Sequence, residues 1–348
     1  MSLLRSPLPF VFGLTLLLAA KSPLHAATIT WTNVAGGAWS AAANWSPNQV
    51  PGPDDTAAIT ANATYTVTLD ISPTVTSLTL GGASGQQTLS MNSQSLSVTG
   101  AGMIAVRGLF EVSGTLTCSA PLTVSGRVIW TGGKVTGPMN VANGGSLIIE
   151  GSNNHEFVGM LTNAGTVQWT AGHFLLEEGS TFLNQATGLF DVQSDARIIP
   201  SGAGPNRLIN EGIFRKSAGD SGTSVEVDLD NRGKVELKSG QLHFPNGFAS
   251  RGSFAVDEGT RLLLDNGAFT LEAGHTFTGG GFYGVESGNV TILGDLTATN
   301  LQLTGGTLNS TNRLIGTLRW TGGFLRGSYT VAAGGSLIIA GSNNHEFV

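Results

Sequence analysis

The stretch NRGKVELKSGQLHFPNGFASRGSFAVDEG, residues 231–259, decides the fold. Glycines at 240, 247, 252 and 259 separate short segments in which apolar and polar side chains alternate, as in Gln241-Leu-His-Phe244 and Ser253-Phe-Ala-Val256. Alternation with a period of two is typical of a β-strand that buries one face. The pattern therefore predicts a chain built from very short strands joined by glycine turns.

The same rhythm extends over the chain in both directions. Asn163, Asn210 and Asn231 are each followed nine residues later by a glycine, at 172, 219 and 240. Three strand-and-turn units make a coil of roughly 20 to 22 residues, and such a coil buries its apolar side chains only when it stacks on another. We therefore predict an all-β fold, a right-handed parallel β-helix (β-solenoid) of about fourteen coils at about 4.8 Å spacing. Tandem β-sandwich domains are the alternative, but their turn signals are usually spaced more widely.

A long block of the chain is duplicated. Residues 130–158, which begin Trp-Thr-Gly-Gly and end Gly-Ser-Asn-Asn-His-Glu-Phe-Val, match residues 320–348 at an offset of 320 − 130 = 190. Residues 63–348 are accordingly predicted to form the solenoid. Because the second copy stops where the first continues into Gly159, we expect a fragment or a truncated product.

The N-terminal region divides into two parts. Residues 1–26 combine Arg5, an apolar run and a cleavage-like end at Ala26, which predicts a signal peptide rather than a membrane anchor. Residues 27–62 hold Trp31, Trp39 and Trp45, three of the six tryptophans. Large aromatic side chains over the open end of a stack would shield an exposed strand edge. We interpret this segment as an N-terminal aromatic cap.

The composition limits the classes of partner that the chain is expected to bind. The net charge is −6, and no stripe of Lys and Arg stands out, so nucleic acid is a poor partner and no membrane insertion is expected after signal removal. Only 11% of the residues are charged, whereas soluble domains average about 25%. The lone Cys118 cannot form an internal disulfide and is interpreted as a small buried side chain.

The search for catalytic, cofactor and metal sites yields none. His155 and His345 occupy equivalent places in the duplicated Ser-Asn-Asn-His-Glu-Phe-Val, but a histidine and an adjacent glutamate point to opposite sides of a strand. Asp228 and Asp230 would share one face of a strand, which is more often a solvent-facing pair than a catalytic or calcium site. The segment Gly219-Asp220-Ser221-Gly222 superficially resembles the surroundings of a serine nucleophile, but no histidine follows it closely. Asp54 and Asp55 are expected to serve the turn or the cap.

Asn163, Asn210 and Asn231 carry a structural meaning instead. If they lie at one corner of successive coils, their side-chain amides can form a hydrogen-bonded ladder along the stack. The sequence thus predicts that these three asparagines, together with Trp31, Trp39 and Trp45, are structural residues.

The residues of the cap carry a resemblance to a known family. Trp39, Asn44-Trp45, Val50-Pro51 and Asp54-Asp55, followed by glycine-rich strands, resemble the start of exported bacterial β-helix surface proteins. These include autotransporter passengers and filamentous-haemagglutinin-like adhesins. The resemblance implies a secreted or cell-surface protein with a structural or adhesive role and no catalytic motif.

Three functions therefore remain open. The preferred one is a non-enzymatic surface or extracellular rod that contacts surface glycans or other surface proteins. The second is a carbohydrate-active β-helix enzyme, a polysaccharide lyase or hydrolase, which would be favoured if Asp228, Asp230, Arg215 and Lys216 lined one cleft. The third is a spacer for a domain beyond residue 348.

Overall fold

The computed structural model describes residues 27–348, so the predicted signal peptide at residues 1–26 lies outside the described residues. The described chain is a parallel β-solenoid of about 14 turns, with 53% of residues in strands and 1% in helix. The prediction of an all-β solenoid is confirmed; its right hand stays a prediction. The one helical segment in residues 27–348 is the 3-10 turn Ala42–Asn44.

Each turn carries up to three strands, which stack on the corresponding strands of the next turn to form three faces. Face A holds Thr28–Trp31, Thr56–Ile59, Ser77–Leu80, Gly102–Ile104, Leu122–Val124, Met139–Val141, the second halves of His155–Asn163 and Phe174–Asn184, Arg207–Asn210, Asp228–Asn231, Gly247–Ser250, Ala268–Leu271, Asn289–Ile292, Thr307–Ser310, Gly323–Gly327 and His345–Phe347.

Face B follows face A along the chain. It holds Gly37–Ala38, Tyr65–Thr68, Gln87–Ser90, Gly108–Val112, Arg127–Trp130, Ser146–Ile149, Thr166–Trp169, Leu189–Val192, Ile213–Lys216, Lys234–Leu237, Ser253–Val256 and Thr276–Thr278, and then the separate pair Arg313–Leu314 and Thr330–Val331.

Face C completes each turn. It holds Thr74–Val75, Leu96–Val98, Thr115–Cys118, Gly133–Thr136, the first halves of His155–Asn163 and Phe174–Asn184, Arg197–Ser201, Gly222–Val225, Gln241–Phe244, Arg261–Leu264, Phe282–Val285, Leu301–Leu303, Thr317–Trp320 and Ser336–Ile339.

The period-two pattern fixes which side chains enter the core. In Ser253–Val256, for example, Phe254 and Val256 are fully buried, while Ser253 and Ala255 point outward. Inward side chains of successive turns stack on one another; the rings of Phe190 and Phe214, register partners on face B, are parallel with centroids 5.2 Å apart. Stacked rings of this kind fill a narrow core and fix the register between turns. The result is one continuous hydrophobic core along the rod.

The turns vary in length over a wider range than the predicted 20 to 22 residues. Register partners on adjacent turns are as close as 139 − 122 = 17 residues, for Leu122 and Met139, and as far as 67 − 37 = 30, for Gly37 and Val67. The strands keep nearly the same length, so the corner loops absorb the difference. Loops at solvent-exposed corners tolerate such insertions because lengthening them leaves the strand ladders intact.

The three tryptophans cluster at the N-terminal end of the stack. Trp31, Trp39 and Trp45 are buried, and the ring of Trp45 lies 5.0 Å from that of Trp31 and 4.8 Å from that of Trp39. The short strand Trp45–Ser46 pairs antiparallel with Thr28–Trp31, the first strand of face A. It covers an edge that would otherwise present unpaired backbone groups. Thr28–Trp31 already pairs in parallel with Thr56–Ile59, so coil stacking begins inside residues 27–62.

The duplicated blocks do not occupy the same faces. Arg127–Trp130, at the start of the first block, belongs to face B, whereas Thr317–Trp320, at the start of the second, belongs to face C. The 190-residue offset therefore corresponds to nine turns and one further face. The same local sequence folds the same way on two different faces because each strand and corner is specified locally.

Candidate binding groove

The four charged residues whose convergence would indicate a carbohydrate-active cleft are dispersed. Asp228 and Asp230 lie on face A, where Asp230 pairs with Arg232 at 2.6 Å. Arg215 lies on face B and pairs with Glu236 at 2.8 Å. Lys216, the next residue, points inward and is fully buried. These residues line no common cleft.

The two duplicated histidines have the same structural environment. The ring of His155 meets the ring of Trp130 edge-on at 5.1 Å, and His345 meets Trp320 at the same distance. Nε2 of His155 lies 2.9 Å from the carbonyl oxygen of Glu150, and Nε2 of His345 lies 3.1 Å from that of Ala340. Burial lowers the pKa of His155, although its hydrogen bonds to backbone carbonyls oppose the shift. Each histidine thus packs against the tryptophan of its own block, fully buried at His155 and half-buried at His345.

The asparagines lie at the corner between face A and face B and form a continuous series. Nδ2 of Asn163 donates to Oδ1 of Asn184 at 2.8 Å, and the same bond at 2.8 Å joins Asn184 to Asn210 and Asn210 to Asn231. Nδ2 of Asn231 donates to Oγ of Ser250 at 3.0 Å. Sequence reasoning missed Asn184 because its turn is longer: the next glycine is Gly188, and position 193 is not glycine. That the series stabilises the rod remains a prediction.

A polar groove crosses face C. Its floor is the strand Gly222–Val225, where Gly222 and Ser224 present little side chain to solvent. Asp195 and Arg197 form one wall, and Gln241 and His243 of the following turn form the other. This depression encloses about 440 Å³ and reaches Asp265 and Asn266 at the corner between faces C and A.

A second depression continues the groove along the corner between faces B and C. It encloses about 470 Å³ between Ser152 and Ala196, includes His173, and shares Asp195 with the first depression. From Ser152 to Asp265 the two span five steps between turns, or about 24 Å along the rod at about 4.8 Å a step. Asp195 therefore lies where the two adjacent depressions meet, and we call the two together the face C groove.

A buried lysine fixes Asp195. Nζ of Lys216 donates to Oδ1 of Asp195 at 2.7 Å and to the carbonyl oxygens of Ser194 at 3.1 Å and Ala218 at 2.9 Å, which satisfies all three of its donors. The backbone N–H of Ser221 donates to Oδ2 of Asp195 at 3.2 Å. Burial opposes ionisation of this carboxyl, but the hydrogen bonds and the lysine charge outweigh it and lower its pKa. Asp195 is therefore a fixed carboxylate, about one third exposed to the groove.

A histidine over a glycine forms the opposite wall. Nδ1 of His243 lies 3.1 Å from Oδ2 of Asp265, and because a carboxylate only accepts, Nδ1 carries the hydrogen. In the neutral ring Nε2 is then an acceptor. A Cβ atom at position 222 would lie 2.9 Å from this Nε2, so any larger residue there would displace the imidazole from its place over the groove floor.

Arg197 and His173 connect the two depressions. The Arg197 guanidinium makes a two-point ion pair with Glu226, at 2.5 Å and 2.6 Å, yet its side chain remains 53% exposed. The backbone N–H of Arg197 donates to Nδ1 of His173 at 3.2 Å, so a neutral His173 carries its hydrogen on Nε2. The groove thus presents hydrogen-bond donors and acceptors side by side, each held in place by its own ion pair or hydrogen bond.

The charges in the groove nearly cancel. Among the residues that line it, Arg197 contributes one positive charge and Asp195 and Asp265 contribute two negative charges, a sum of 1 − 2 = −1 with neutral histidines. The adjacent charges of Lys216 and Glu226 cancel each other. Within residues 27–348, no group of three or more His, Cys, Asp or Glu side chains is arranged to hold a metal ion. The arrangement can bind a hydrogen-bonding ligand of low charge. Sequence reasoning missed it because its residues come from six different turns and no motif spaces them.

Because comparisons with known proteins found no match, a function must be inferred from the fold and from the geometry of the face C groove. A scan against family models, a search of curated proteins and a search of solved structures each found no match to the chain. Residues 27–348 contain no helix that could span a lipid bilayer.

Proposed function

We propose that this chain is an exported structural and adhesive rod that holds glycans or surface proteins without catalysis. The observation that carries the proposal is the unbroken parallel pairing along the stack, which on face C runs from Thr74–Val75 to Ser336–Ile339. A solenoid of this kind lengthens by adding turns without disturbing any local contact. Such an architecture suits a stalk or an extended contact surface.

The placement of charge supports the same role. Ion pairs link turns along the surface, as between Arg215 and Glu236 of adjacent turns at 2.8 Å and between Lys134 and Glu177, two turns apart, at 2.7 Å. Charges that neutralise one another across turns stabilise the surface modestly and leave no strongly charged field. A surface of this type favours contact with weakly charged polymers.

A carbohydrate-active enzyme is the second candidate, and one observation favours it. His243, oriented by Asp265, faces the ionised Asp195 across the floor of the face C groove. A histidine held by a carboxylate is a recognised general base. The lowered pKa of Asp195 argues against its service as the proton donor that glycoside hydrolysis needs.

The experiment incubates the full chain with purified insoluble extracellular matrix and measures both the protein retained and the soluble sugar released. The proposal predicts retention with no release of oligosaccharides over the background of heat-denatured chain. Release of oligosaccharides would favour the enzyme. Absence of retention would contradict the adhesive role.

A further inference from the structure

We propose that the face C groove binds an extended, uncharged polysaccharide, with Asp195 and His243 as its principal hydrogen-bonding residues. The inference rests on the adhesive role proposed above and assigns it a site and a ligand class. Three properties of the groove carry it: its chemistry, its shape and its charge.

The chemistry matches a polyhydroxylated ligand. A hydroxyl group both donates and accepts, so a chain of sugars is best held where donors and acceptors alternate. Along the groove the acceptors are the carboxylate of Asp195 and Nε2 of His243, and the donors include the remaining N–H groups of Arg197 and the amides of Gln241 and Asn266. These groups come from successive turns of a rigid stack, which presents them already in place.

The shape selects a polymer and disfavours a peptide. The groove extends over five steps between turns, a length that suits an extended chain better than a compact molecule. Extended peptides are commonly held by main-chain hydrogen bonds to an open sheet edge. The strands beneath this groove already pair on both sides, since Gly222–Val225 lies between Arg197–Ser201 and Gln241–Phe244. No edge is free there for a peptide.

The charge selects a neutral polymer. With a net charge of −1 among the residues that line it, the groove offers a polyuronate or a sulfated chain no net electrostatic attraction. The fixed charge of Asp195 strengthens this selection, because Lys216 holds the carboxyl ionised from the core side while about one third of the Asp195 side chain stays exposed. Burying an ammonium ion destabilises a fold, even when all its hydrogen bonds are made to one corner. The positioning of Asp195 would explain why a lysine is buried there.

The test is native affinity electrophoresis of the full chain in gels that contain mixed-linkage β-glucan, arabinoxylan or galactomannan, with polygalacturonate as the charged probe. Gly222→Leu fills the groove floor, and His243→Gln removes the imidazole while keeping a polar side chain. Ala249→Leu places a leucine side chain on the exposed surface of face A and is the control. Circular dichroism melting of each variant establishes that it folds.

At least one neutral polysaccharide is expected to retard the wild type and Ala249→Leu equally. Folded Gly222→Leu and His243→Gln should bind at least tenfold more weakly, and polygalacturonate should bind none of them. Retardation by no neutral polysaccharide would overturn the inference, as would stronger retardation by polygalacturonate. If Gly222→Leu does not fold, His243→Gln decides alone. If a groove variant is retained on extracellular matrix as strongly as the wild type, the groove assignment is overturned but the adhesive role stands. Release of sugar by the wild type would overturn the adhesive role itself.

Discussion

Nδ2 of Asn184 donates a hydrogen bond of 2.8 Å to Oδ1 of Asn210, across 26 residues of sequence, and both side chains are completely buried. The same Nδ2 also donates to the carbonyl oxygen of Ile213 at 3.0 Å. A buried amide is expensive unless its donors and acceptors are used. Here the neighbouring turns supply those partners, so the asparagine series ties the register of one turn to the next.

Replacement of Asn210 by alanine should destabilise the rod by about 1 to 3 kcal/mol, because it removes one hydrogen-bond partner from each of the buried amides of Asn184 and Asn231. The measurement is the midpoint of urea unfolding. Asn153, an exposed asparagine, is the matched control, and its replacement by alanine should change the free energy by no more than about 0.5 kcal/mol. Equal midpoints for Asn210→Ala and wild type would contradict the stabilising role.

The two partners of the Lys216–Asp195 pair should respond unequally to substitution. Asp195→Asn leaves a fully buried ammonium ion without a counter-charge, a loss of about 3 kcal/mol or more. Lys216→Met leaves behind a carboxylate that water can reach and should cost less. Thermal unfolding of both variants checks the order, and a larger loss for Lys216→Met would show that the lysine is held for other reasons.

The same pair should weaken in acid. The pKa of Asp195 lies below its ordinary value in the folded chain, so the unfolded chain binds the proton more readily. Its contribution to stability is therefore present above about pH 4 and is lost as the pH falls through the lowered pKa. The stability difference between wild type and Asp195→Asn should narrow below about pH 4. A difference independent of pH would mean that the ion pair contributes nothing.

Two buried histidines should make the rod less stable as the pH falls from about 7 to about 5. Burial lowers the pKa of His155 and of His275 below the ordinary 6.5, so below that value the unfolded chain binds more protons than the folded one. The double variant His155→Gln, His275→Gln should show a flatter dependence of stability on pH, whatever its absolute stability. Parallel pH profiles for the two proteins would exclude this explanation.

The displacement of the duplicated block by one face predicts a specific cross-link. Gln302 and Arg319 are register partners on face C, and adjacent strands are about 4.8 Å apart, within the range of about 4.4 to 6.8 Å between the Cα atoms of a disulfide. Oxidation of Gln302→Cys, Arg319→Cys should therefore form a disulfide, detected by loss of free thiol. The pair Gln302→Cys, Arg326→Cys should not cross-link, because Arg326 lies on face A. Cys118 is buried and should not interfere. The reverse pattern would contradict the one-face displacement.

Much of the fold could be predicted from sequence because its determinants are local. Alternation within strands such as Ser253–Val256 and glycines between them specify short strands, and stacking follows from the need to bury Phe254 and its equivalents. The position of the duplicated block could not be predicted, since it depends on the sum of many corner lengths between 17- and 30-residue turns. Each corner is set by contacts that no single repeat encodes.

The candidate site was less accessible to sequence reasoning. Asp228 and Asp230 attracted attention because they are neighbours in sequence, yet they lie on face A, away from the face C groove. Asp195, Gly222 and His243 are spread over 48 residues (243 − 195) and meet only because the chain returns to face C once in every turn. From the sequence alone, Gly222 is indistinguishable from the turn glycines, because its contact with the His243 ring is visible only in the structure.

The most direct test of the account is a crystal structure of the full chain with an oligosaccharide cut from whichever neutral polysaccharide it binds. An intact sugar chain should lie along the face C groove, with hydroxyl groups hydrogen-bonded to Asp195 and to Nε2 of His243. Sugar bound on face A, or cleaved sugar in the groove, would contradict it.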